Sequence, residues 1–371
     1  MVRAGEMDIG SLRRSMDAAA LRAEFPVLAR LAYLNAGTDG PVPTAAVHAA
    51  REALERQVGE GRFGPHFEAR RAALEDLRAA YARVLGCEPA DVALKTSTSE
   101  GLGSVLAGLD LGPGTEIVTS DSEHPGLIGP LIAARARGAK ITAVPLADVA
   151  DAVTPRTTLV ACSHVSWVTG EVAPAELAEL DIPVILDGAQ GAGAIPVDVT
   201  ALGCAAYAAA GQKWLCGADG TGMLYVAPDF RERLRAVAPA YLSFERADEG
   251  LDSPLHADAR RYDTASLARE STAFSLAATR LLERYGLAAI HARAADLARR
   301  FAQALAATGR TVAPRSDTTL VAWEDRDATA TRDRLIAAGV VVRDLPRTPY
   351  LRVSVGAWND ESDLDRLLAA L

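Results

Sequence analysis

The feature that most constrains the fold is an alternation of short apolar segments with helical ones in the middle of the sequence. Four segments are apolar along most of their length, namely 91–95, 116–120, 158–164 and 183–187. Between them lie three segments of helical character, at 99–109, 126–138 and 174–180. Strands that are apolar on both faces are typical of a mostly parallel sheet covered by helices on both sides. The sequence therefore predicts an α/β fold.

A different pattern begins near residue 265. Longer helical patterns cover 271–305, three short apolar segments follow, and a final helix is predicted at 360–371. We interpret 265–371 as a smaller α+β domain beside a large domain over 31–264. The N-terminal segment, 1–30, is predicted to pack with the small domain. A chain of 371 residues is long enough for such a division.

The charge of the chain narrows the class of partner. A net charge of −9 and a pI near 5.3 argue against nucleic acid and anionic membranes. No stretch approaches the roughly 18 apolar residues of a membrane span, and the N-terminus lacks the apolar core of a secretion signal. The four cysteines show neither a CxxC pair nor metal-ligand spacing. We expect a cytoplasmic protein without a metal site that acts on a small molecule.

Polar side chains follow several of the predicted strands, at the point where each strand ends. They are Ser99, Glu100, His124, His164, Asp187 and Lys213. In an open parallel sheet, ligands bind beyond the carboxyl ends of the strands, because these ends meet at one edge. The sequence therefore predicts a ligand site at that edge.

Lys213 is one of only three lysines among 39 basic residues. A lysine can lose its proton and become a nucleophilic amine, whereas an arginine stays charged, so a lysine in this arginine-rich chain points to chemistry. Asp187 follows a buried strand, where a carboxylate must be paired or functional. Residues 95–103 resemble an anion-binding turn before a helix, although a hydroxyl there is also an ordinary helix cap. Together, a lysine, an acid and an anion site suit pyridoxal 5'-phosphate.

Two sequence stretches carry a resemblance to a known family. They are DGAQ at 187–190 and GQKWLCGADGTGMLYV at 211–226. With these stretches at this separation, the chain resembles the class V, fold-type I pyridoxal-phosphate enzymes, which include aminotransferases and cysteine desulfurases. The resemblance runs from about residue 33 almost to the C-terminus. It implies a large cofactor-binding domain followed by a smaller C-terminal domain.

The resemblance implies a role for each matching residue. Lys213 would bond the cofactor and move the Cα proton, Asp187 would keep the ring nitrogen protonated, and His124 would stack on the ring. The other implied cofactor contacts are Thr98, Ser99, Glu100, Gln190 and Gln212. The implied substrate contacts are Arg352, Arg343, Asn35 and Trp167.

Several positions depart from the pattern of the wider family, and one of them is Gln212, which stands where members commonly have a histidine. Ala210 stands where members commonly have a serine, and Trp167 where many have an asparagine. Ala265 and Ser266 replace a Gly-Thr pair that reaches the phosphate of the other subunit. The resemblance implies a homodimer with shared active sites, in which Ser266 would contact the phosphate bound by the second copy.

Two features of the sequence narrow the choice among the reactions of this family. The segment between Arg343 and Arg352 contains no cysteine, which argues against a desulfurase that needs a mobile cysteine there. SEHPGLI at 122–128, SHVSWVTG at 163–170 and the two arginines nine residues apart resemble the L-cysteine/cystine C–S lyases. This implies β-elimination from cysteine, cystine or an S-substituted cysteine to give pyruvate, ammonia and a thiol or persulfide.

Three alternatives stay open at this point. An aminotransferase would use the same residues and return the proton to the cofactor. An amino-acid epimerase would need a second base on the opposite face of the ring. A cofactor-binding protein without turnover is the third alternative.

Overall fold

A computed structural model describes residues 16–371. The strands in this range are β1 (Ala32–Tyr33), β2 (Val92–Lys95), β3 (Glu116–Ser120), β4 (Lys140–Val144), β5 (Thr157–Ser163), β6 (Val184–Asp187), β7 (Ala206–Ala210), β8 (Gly222–Val226), β9 (Leu320–Glu324), β10 (Val340–Val341), β11 (Arg343–Asp344) and β12 (Tyr350–Ser354). The α-helices are α1 (Ala18–Ala23), α2 (Thr44–Glu60), α3 (Gly64–Leu85), α4 (Thr98–Gly108), α5 (Pro125–Ala136), α6 (Arg269–Tyr285), α7 (Leu287–Ala307), α8 (Ala328–Ala337) and α9 (Glu361–Ala370).

The large sheet has seven strands in the order β2-β8-β7-β6-β5-β3-β4. Neighbouring strands from β4 through β7 run parallel. Only β8 is reversed within this sheet, since it pairs antiparallel with both β2 and β7. The predicted α/β fold with a mostly parallel sheet is confirmed.

Alternate residues of the central strands pack into two apolar layers, one on each face of the sheet. In β6, Ile185 packs in a cluster with Leu102 of α4, whereas Leu186 packs in a cluster with Leu77 of α3. Because both faces are covered, every residue of β6 is buried. This explains why the strand segments are apolar throughout and why a carboxylate at the end of one is unusual.

A smaller antiparallel sheet has the order β11-β12-β9. Beside it, β1 pairs in parallel with β10, and Asn35 bridges to Ser354 at the end of β12. A third apolar cluster, which includes Leu34, Trp323 and Leu351, packs these strands together with α7 and α9. The segment after β1 is therefore held next to β12, which carries Arg352.

Contacts near both ends of the described chain cross the predicted domain boundaries. Arg22 pairs with Asp363 at 2.8 Å, and the Phe25 ring lies 5.1 Å from that of Trp358, so α1 and the turn after it contact the C-terminal region. Helix α6 packs against α2 and α3. Residues 1–15 of the predicted N-terminal segment lie outside the described residues. None of the helices within residues 16–371 is long and apolar enough to span a bilayer.

Candidate active site

Asp187 and Lys213 lie at the carboxyl edge of the large sheet. Asp187 is the last residue of β6 and is 4% exposed, and Lys213 lies in the turn from β7 to β8. Burial raises the pKa of Asp187, an effect that the Lys213 charge opposes. Burial lowers the pKa of Lys213, while the Asp187 carboxylate opposes that shift. The amine is thus closer to the neutral, nucleophilic form than a lysine in water.

The Asp187 carboxylate is oriented by the chain that follows it. The Ala189 N–H donates to its Oδ1 at 2.9 Å. This is the only hydrogen bond that the carboxylate accepts from residues 16–371. Its Oδ2 therefore stays available for a donor such as a protonated ring nitrogen. The position fits the role that the resemblance implies.

His124 and Trp167 form an aromatic pair above this edge. Their ring centroids are 5.2 Å apart at an interplanar angle of 86°. His124 caps α5, and its Nδ1 accepts the Gly126 N–H at 3.1 Å, which places the imidazole proton on Nε2. Burial, followed by the charges of Lys213 and the two nearby arginines, lowers the pKa of His124 to about 4. The imidazole is therefore neutral at physiological pH, as an uncharged stacking partner should be.

Arg343 and Arg352 are direct cross-strand partners on β11 and β12. Directly paired residues of antiparallel strands project from the same face of a sheet. Arg352 is 1% exposed, and its Nη1 donates to the Trp167 carbonyl. Its Nε and Nη2 are buried without a partner in the described chain. Burial, together with the Arg343 charge, lowers the pKa of Arg352 to about 9, and an anion bound to the guanidinium would offset this cost.

The loop from Asn35 to Gly40 supports both arginines. Arg343 Nη1 donates to Thr38 Oγ1 at 2.9 Å, and that hydroxyl donates to Asn35 Oδ1 at 2.8 Å. A Cβ atom on Gly37 would lie 3.0 Å from Arg352 Nη2 and 2.7 Å from Ser354 Oγ. Only glycine allows the backbone to come this close to the guanidinium. Asn35 thus acts on Arg343 through Thr38.

Gln190 joins the same loop to the lysine turn. Its Nε2 donates to the Gly37 carbonyl at 2.8 Å, and its Oε1 accepts from Trp214 Nε1 at 3.0 Å. Both ends of the amide are therefore occupied. In this structure Gln190 holds the walls of the site together, and its predicted contact with the cofactor stays a prediction.

The predicted cofactor contacts at the start of α4 and beside Lys213 divide into two groups. Thr98 Oγ1 and Gln212 Oε1 are buried and have no partner within residues 16–371, and Ser99 is exposed beside His124. Turning the Gln212 amide over would direct its NH2 group to an anion. Glu100 differs, because its N–H donates to Ser97 Oγ and its carboxylate accepts from Thr96 at 2.6 Å. These hydrogen bonds give Glu100 a capping role and do not support its predicted contact with the phosphate.

Ser266 is not brought to Lys213 of its own chain. It is exposed and accepts a hydrogen bond from Arg70, in a surface cleft that also includes Arg62, His66 and Arg269. This placement leaves the predicted contact with a second subunit as a prediction.

Two further polar groups lie at this edge, namely His164, which the strand-end pattern indicated, and Glu123, which sequence reasoning missed. His164 follows β5, its Nδ1 lies 3.0 Å from the Tyr207 hydroxyl, and its N–H donates to the Asp187 carbonyl. Glu123 is buried and accepts two hydrogen bonds from Ser163. The signal for Glu123 was its position beside His124 in the motif at 122–128.

The residues present fit pyridoxal phosphate. A lysine and a buried acid lie at one edge, and an aromatic pair with a neutral imidazole lies near the lysine. The buried Thr98 hydroxyl and two nitrogens of the Arg352 guanidinium lack partners in the described chain. These are the groups that a pyridine nitrogen, an aldehyde, a phosphate and an amino-acid carboxylate require.

Solved structures of similar fold agree with this assignment. A variant of C-DES with glycine covalently linked to its PLP cofactor superposes with a TM-score of 0.88 at 26% identity, covering 94% of this chain and 98% of that one. C-DES in complex with cysteine persulfide, described as a cystine C–S lyase, gives 0.87 at 27% identity over 93% and 98% of the two chains. Fold and site define a fold-type I pyridoxal-phosphate enzyme.

The family model Aminotransferase class-V matches residues 32–367, and the chain belongs to that family. The chain is 31% identical to isopenicillin N epimerase from Streptomyces clavuligerus, over 91% of this chain and 93% of that protein. It is 34% identical to a cysteine desulfurase from Klebsiella pneumoniae, over 59% of each. The predicted family, fold type and cofactor are confirmed.

Proposed function

We propose that the protein is a C–S lyase that performs β-elimination on cystine or a related S-substituted cysteine. The observation that carries the proposal is the pair of arginines on one face of β11 and β12, near the amine of Lys213. One guanidinium can bind the α-carboxylate and the other a second carboxylate, and cystine carries both. The similarity to C-DES over 94% of the chain supports the same reaction.

The residues of this chain divide the work of elimination. Arg352 holds the α-carboxylate, and the Lys213 amine removes the Cα proton and keeps it. Pyridoxal phosphate, when bound, supplies the electron sink that makes this proton acidic. The Cβ–S bond then breaks, and the sulfur leaves with the electron pair as a thiolate or persulfide. Water hydrolyses the remaining unsaturated amine to pyruvate and ammonia.

The cysteines of this chain support a lyase over a desulfurase. Cys216 follows Lys213 by three residues, but it is buried, and burial raises the pKa of its thiol well above the ordinary value. Cys162 and Cys204 are also buried, and Cys87 is half-buried, with burial raising the pKa of its thiol to about 12. A sulfur acceptor needs an accessible thiolate. We therefore infer that sulfur leaves with the product and is not held on the enzyme.

An amino-acid epimerase is the second candidate, because isopenicillin N epimerase is similar over 91% of this chain. Epimerisation by two bases needs a proton acceptor on the face of the ring opposite Lys213. His124, the residue proposed for that face, already uses Nδ1 to accept the Gly126 N–H and carries its proton on Nε2. It is therefore a poor second base, and this favours the lyase.

Product analysis distinguishes the candidates. The purified holoenzyme is incubated with L-cystine and with S-methyl-L-cysteine, and pyruvate and the configuration of the remaining substrate are measured. A lyase forms pyruvate in step with substrate loss and leaves the remaining substrate in the L form. D-amino acid without pyruvate would establish the epimerase. Conversion of an added keto acid into an amino acid would indicate an aminotransferase.

The two arginines are expected to respond differently to substitution. Arg352→Ala should weaken the binding of both substrates by roughly 1.5–3 kcal/mol, because each substrate loses a charged hydrogen bond to its α-carboxylate. Arg343→Ala should raise KM for cystine about tenfold or more, which corresponds to one such bond, and change S-methylcysteine little. Steady-state kinetics on both substrates provides the measurement. Equal losses for the two substrates in Arg343→Ala would remove the distal role.

We also infer a homodimer with shared active sites. An exposed apolar strip runs along α2 and the start of α3, where Val58 is 88%, Phe63 61% and Phe67 54% exposed. It borders the cleft that contains Ser266 and three arginines. A second copy related by twofold symmetry would cover this strip. It would also bring the phosphate that it binds to the cationic cleft of the first copy.

Mixing two inactive variants tests this arrangement. Lys213→Ala loses the amine, and Ser266→Glu would repel the phosphate bound by the second copy. In a mixed dimer one site carries both defects and the other carries none. Subunits mixed equally and allowed to exchange should recover about a quarter of wild-type activity, because half of the dimers have one intact site. No recovery, together with a monomer in sedimentation, would contradict the shared site.

A further inference from the structure

Glu123 connects two loops that border the site. It lies between β3 and α5, directly before His124, and is 4% exposed. Its Oε1 accepts the Ser163 N–H at 2.8 Å, and its Oε2 accepts the Ser163 hydroxyl. Since Ser163 is the last residue of β5, the carboxyl ties the loop that carries His124 to the end of the neighbouring strand.

A buried carboxyl at this position is costly. Burial raises the pKa of Glu123 to about 7, against the opposing effect of the Ser163 hydrogen bonds. Both hydrogen-bond donors to Glu123 come from Ser163 and are uncharged, so these contacts include no ion pair that would offset the desolvation of the carboxylate. An apolar side chain would fill the space at lower cost but could not accept the two hydrogen bonds from Ser163.

The same two loops are joined a second time by Trp167. Its indole Nε1 donates to the Ser122 carbonyl at 2.8 Å, and its ring contacts that of His124. On the other side, Ser163 is the register partner of Asp187 in β6. A continuous set of contacts therefore leads from Asp187 through Ser163 and Glu123 to His124.

We propose that Glu123 is a positioning residue that sets the separation between His124 and Asp187, by fixing the loop before α5 to the end of β5. These two residues are the ones expected to contact the ring face and the ring nitrogen of the cofactor. A loop that moves outward would carry the His124 imidazole away from a ring whose nitrogen is bound by Asp187, and the stacking contact would be lost. The inference rests on the proposed place of His124 at the ring and does not depend on which reaction follows.

Three variants of the holoenzyme test the proposal. Glu123→Ala removes both contacts with Ser163. Glu123→Gln keeps them, since the amide oxygen accepts the N–H and the Ser163 hydroxyl can turn to accept from the amide. Asp121→Ala is the matched control, because Asp121 is an exposed acid in the same loop. For each variant, the visible circular dichroism per bound cofactor, kcat, KM and the melting temperature are measured.

We expect Glu123→Ala to change the visible circular dichroism and to lower kcat by roughly 10- to 100-fold, as a displaced catalytic group does, with KM almost unchanged. Glu123→Gln and Asp121→Ala should match the wild type in both readouts. If Glu123→Ala fails to fold, Ser163→Ala, which removes only the hydroxyl contact, should change the dichroism in a milder form.

Two results would overturn the proposal. One is a Glu123→Ala holoenzyme with a lower melting temperature but a wild-type dichroism and kcat, which would leave a structural role alone. The other is a Glu123→Gln variant as impaired as Glu123→Ala, which would assign the effect to the charge. The dichroism requires bound cofactor but no turnover, so it stays informative if the protein proves not to be a C–S lyase.

Discussion

Lys213→Ala is expected to abolish turnover and the visible absorbance of the covalently bound cofactor. The substitution removes the amine proposed to bond the cofactor and to move the Cα proton, and a positioned acid–base group alone contributes roughly 10²–10⁴-fold. Burial already lowers the pKa of this amine and so favours its nucleophilic form. Absorbance spectra and pyruvate formation provide the two measurements.

Two control variants separate chemistry from charge. Lys213→Arg keeps a positive charge beside Asp187 but cannot bond the aldehyde, so it should be as inactive as the alanine variant. Lys140→Ala alters an exposed lysine that pairs with Glu116 at 3.5 Å, and it should behave as the wild type. Borohydride reduction that attached the cofactor to Lys95 or Lys140 would contradict the assignment of Lys213.

Asp187→Asn is expected to keep the colour and lose most of the turnover. The asparagine can still accept the Ala189 N–H, but it carries no charge to hold the ring nitrogen protonated. Loss of one charge that stabilises a transition state in a buried site costs on the order of 10²-fold or more in kcat. Cofactor content is measured by absorbance after alkaline release, and kcat by pyruvate formation.

A variant with full cofactor content and a kcat within about threefold of the wild type would exclude this role of Asp187, because such a change is below 1 kcal/mol. The carboxylate would then serve to hold the turn after β6. Asp198→Asn offers a matched control, since this exposed aspartate also accepts backbone N–H groups in a turn.

The central strands of the large sheet could be predicted from the sequence because they are short and buried on both faces, whereas the partly exposed edge strand β4 was not predicted. A short, fully apolar run such as that of β6 fits best as a strand covered on both faces, and a carboxylate at the end of such a run is easily noticed in the sequence. The parallel order then brings Asp187 and the turn with Lys213 to one edge. The prediction of these two residues therefore needs only local sequence patterns.

The rest of the site depends on contacts between distant parts of the chain. Thr38 and Arg343 are 305 residues apart, and Glu123 and Ser163 are 40 apart. Neither pair leaves a periodic signal, since each consists of single side chains that meet only after the sheets have assembled. The same applies to β1, whose two residues pair with β10 near the opposite end of the chain. The sequence left both a helix cap and an anion site open at 95–103, because hydroxyl-rich turns serve both, and the structure shows Ser97 capping α4.

The short loop from Asn35 to Gly40 contacts three walls of the site at once. Its Thr38 hydroxyl accepts a hydrogen bond from Arg343, and its Gly37 carbonyl accepts one from Gln190. At its end the backbone passes so close to Lys213 that a Cβ atom on Gly40 would lie 2.1 Å from the Lys213 carbonyl oxygen. Surface loops ordinarily accept inserted residues at little entropic cost. Here an insertion of even one residue would displace Arg343, the Gln190 amide and the turn that contains Lys213 together. When homologous sequences are aligned or recombined, this segment should therefore be transferred whole, as though it belonged to the sheet itself.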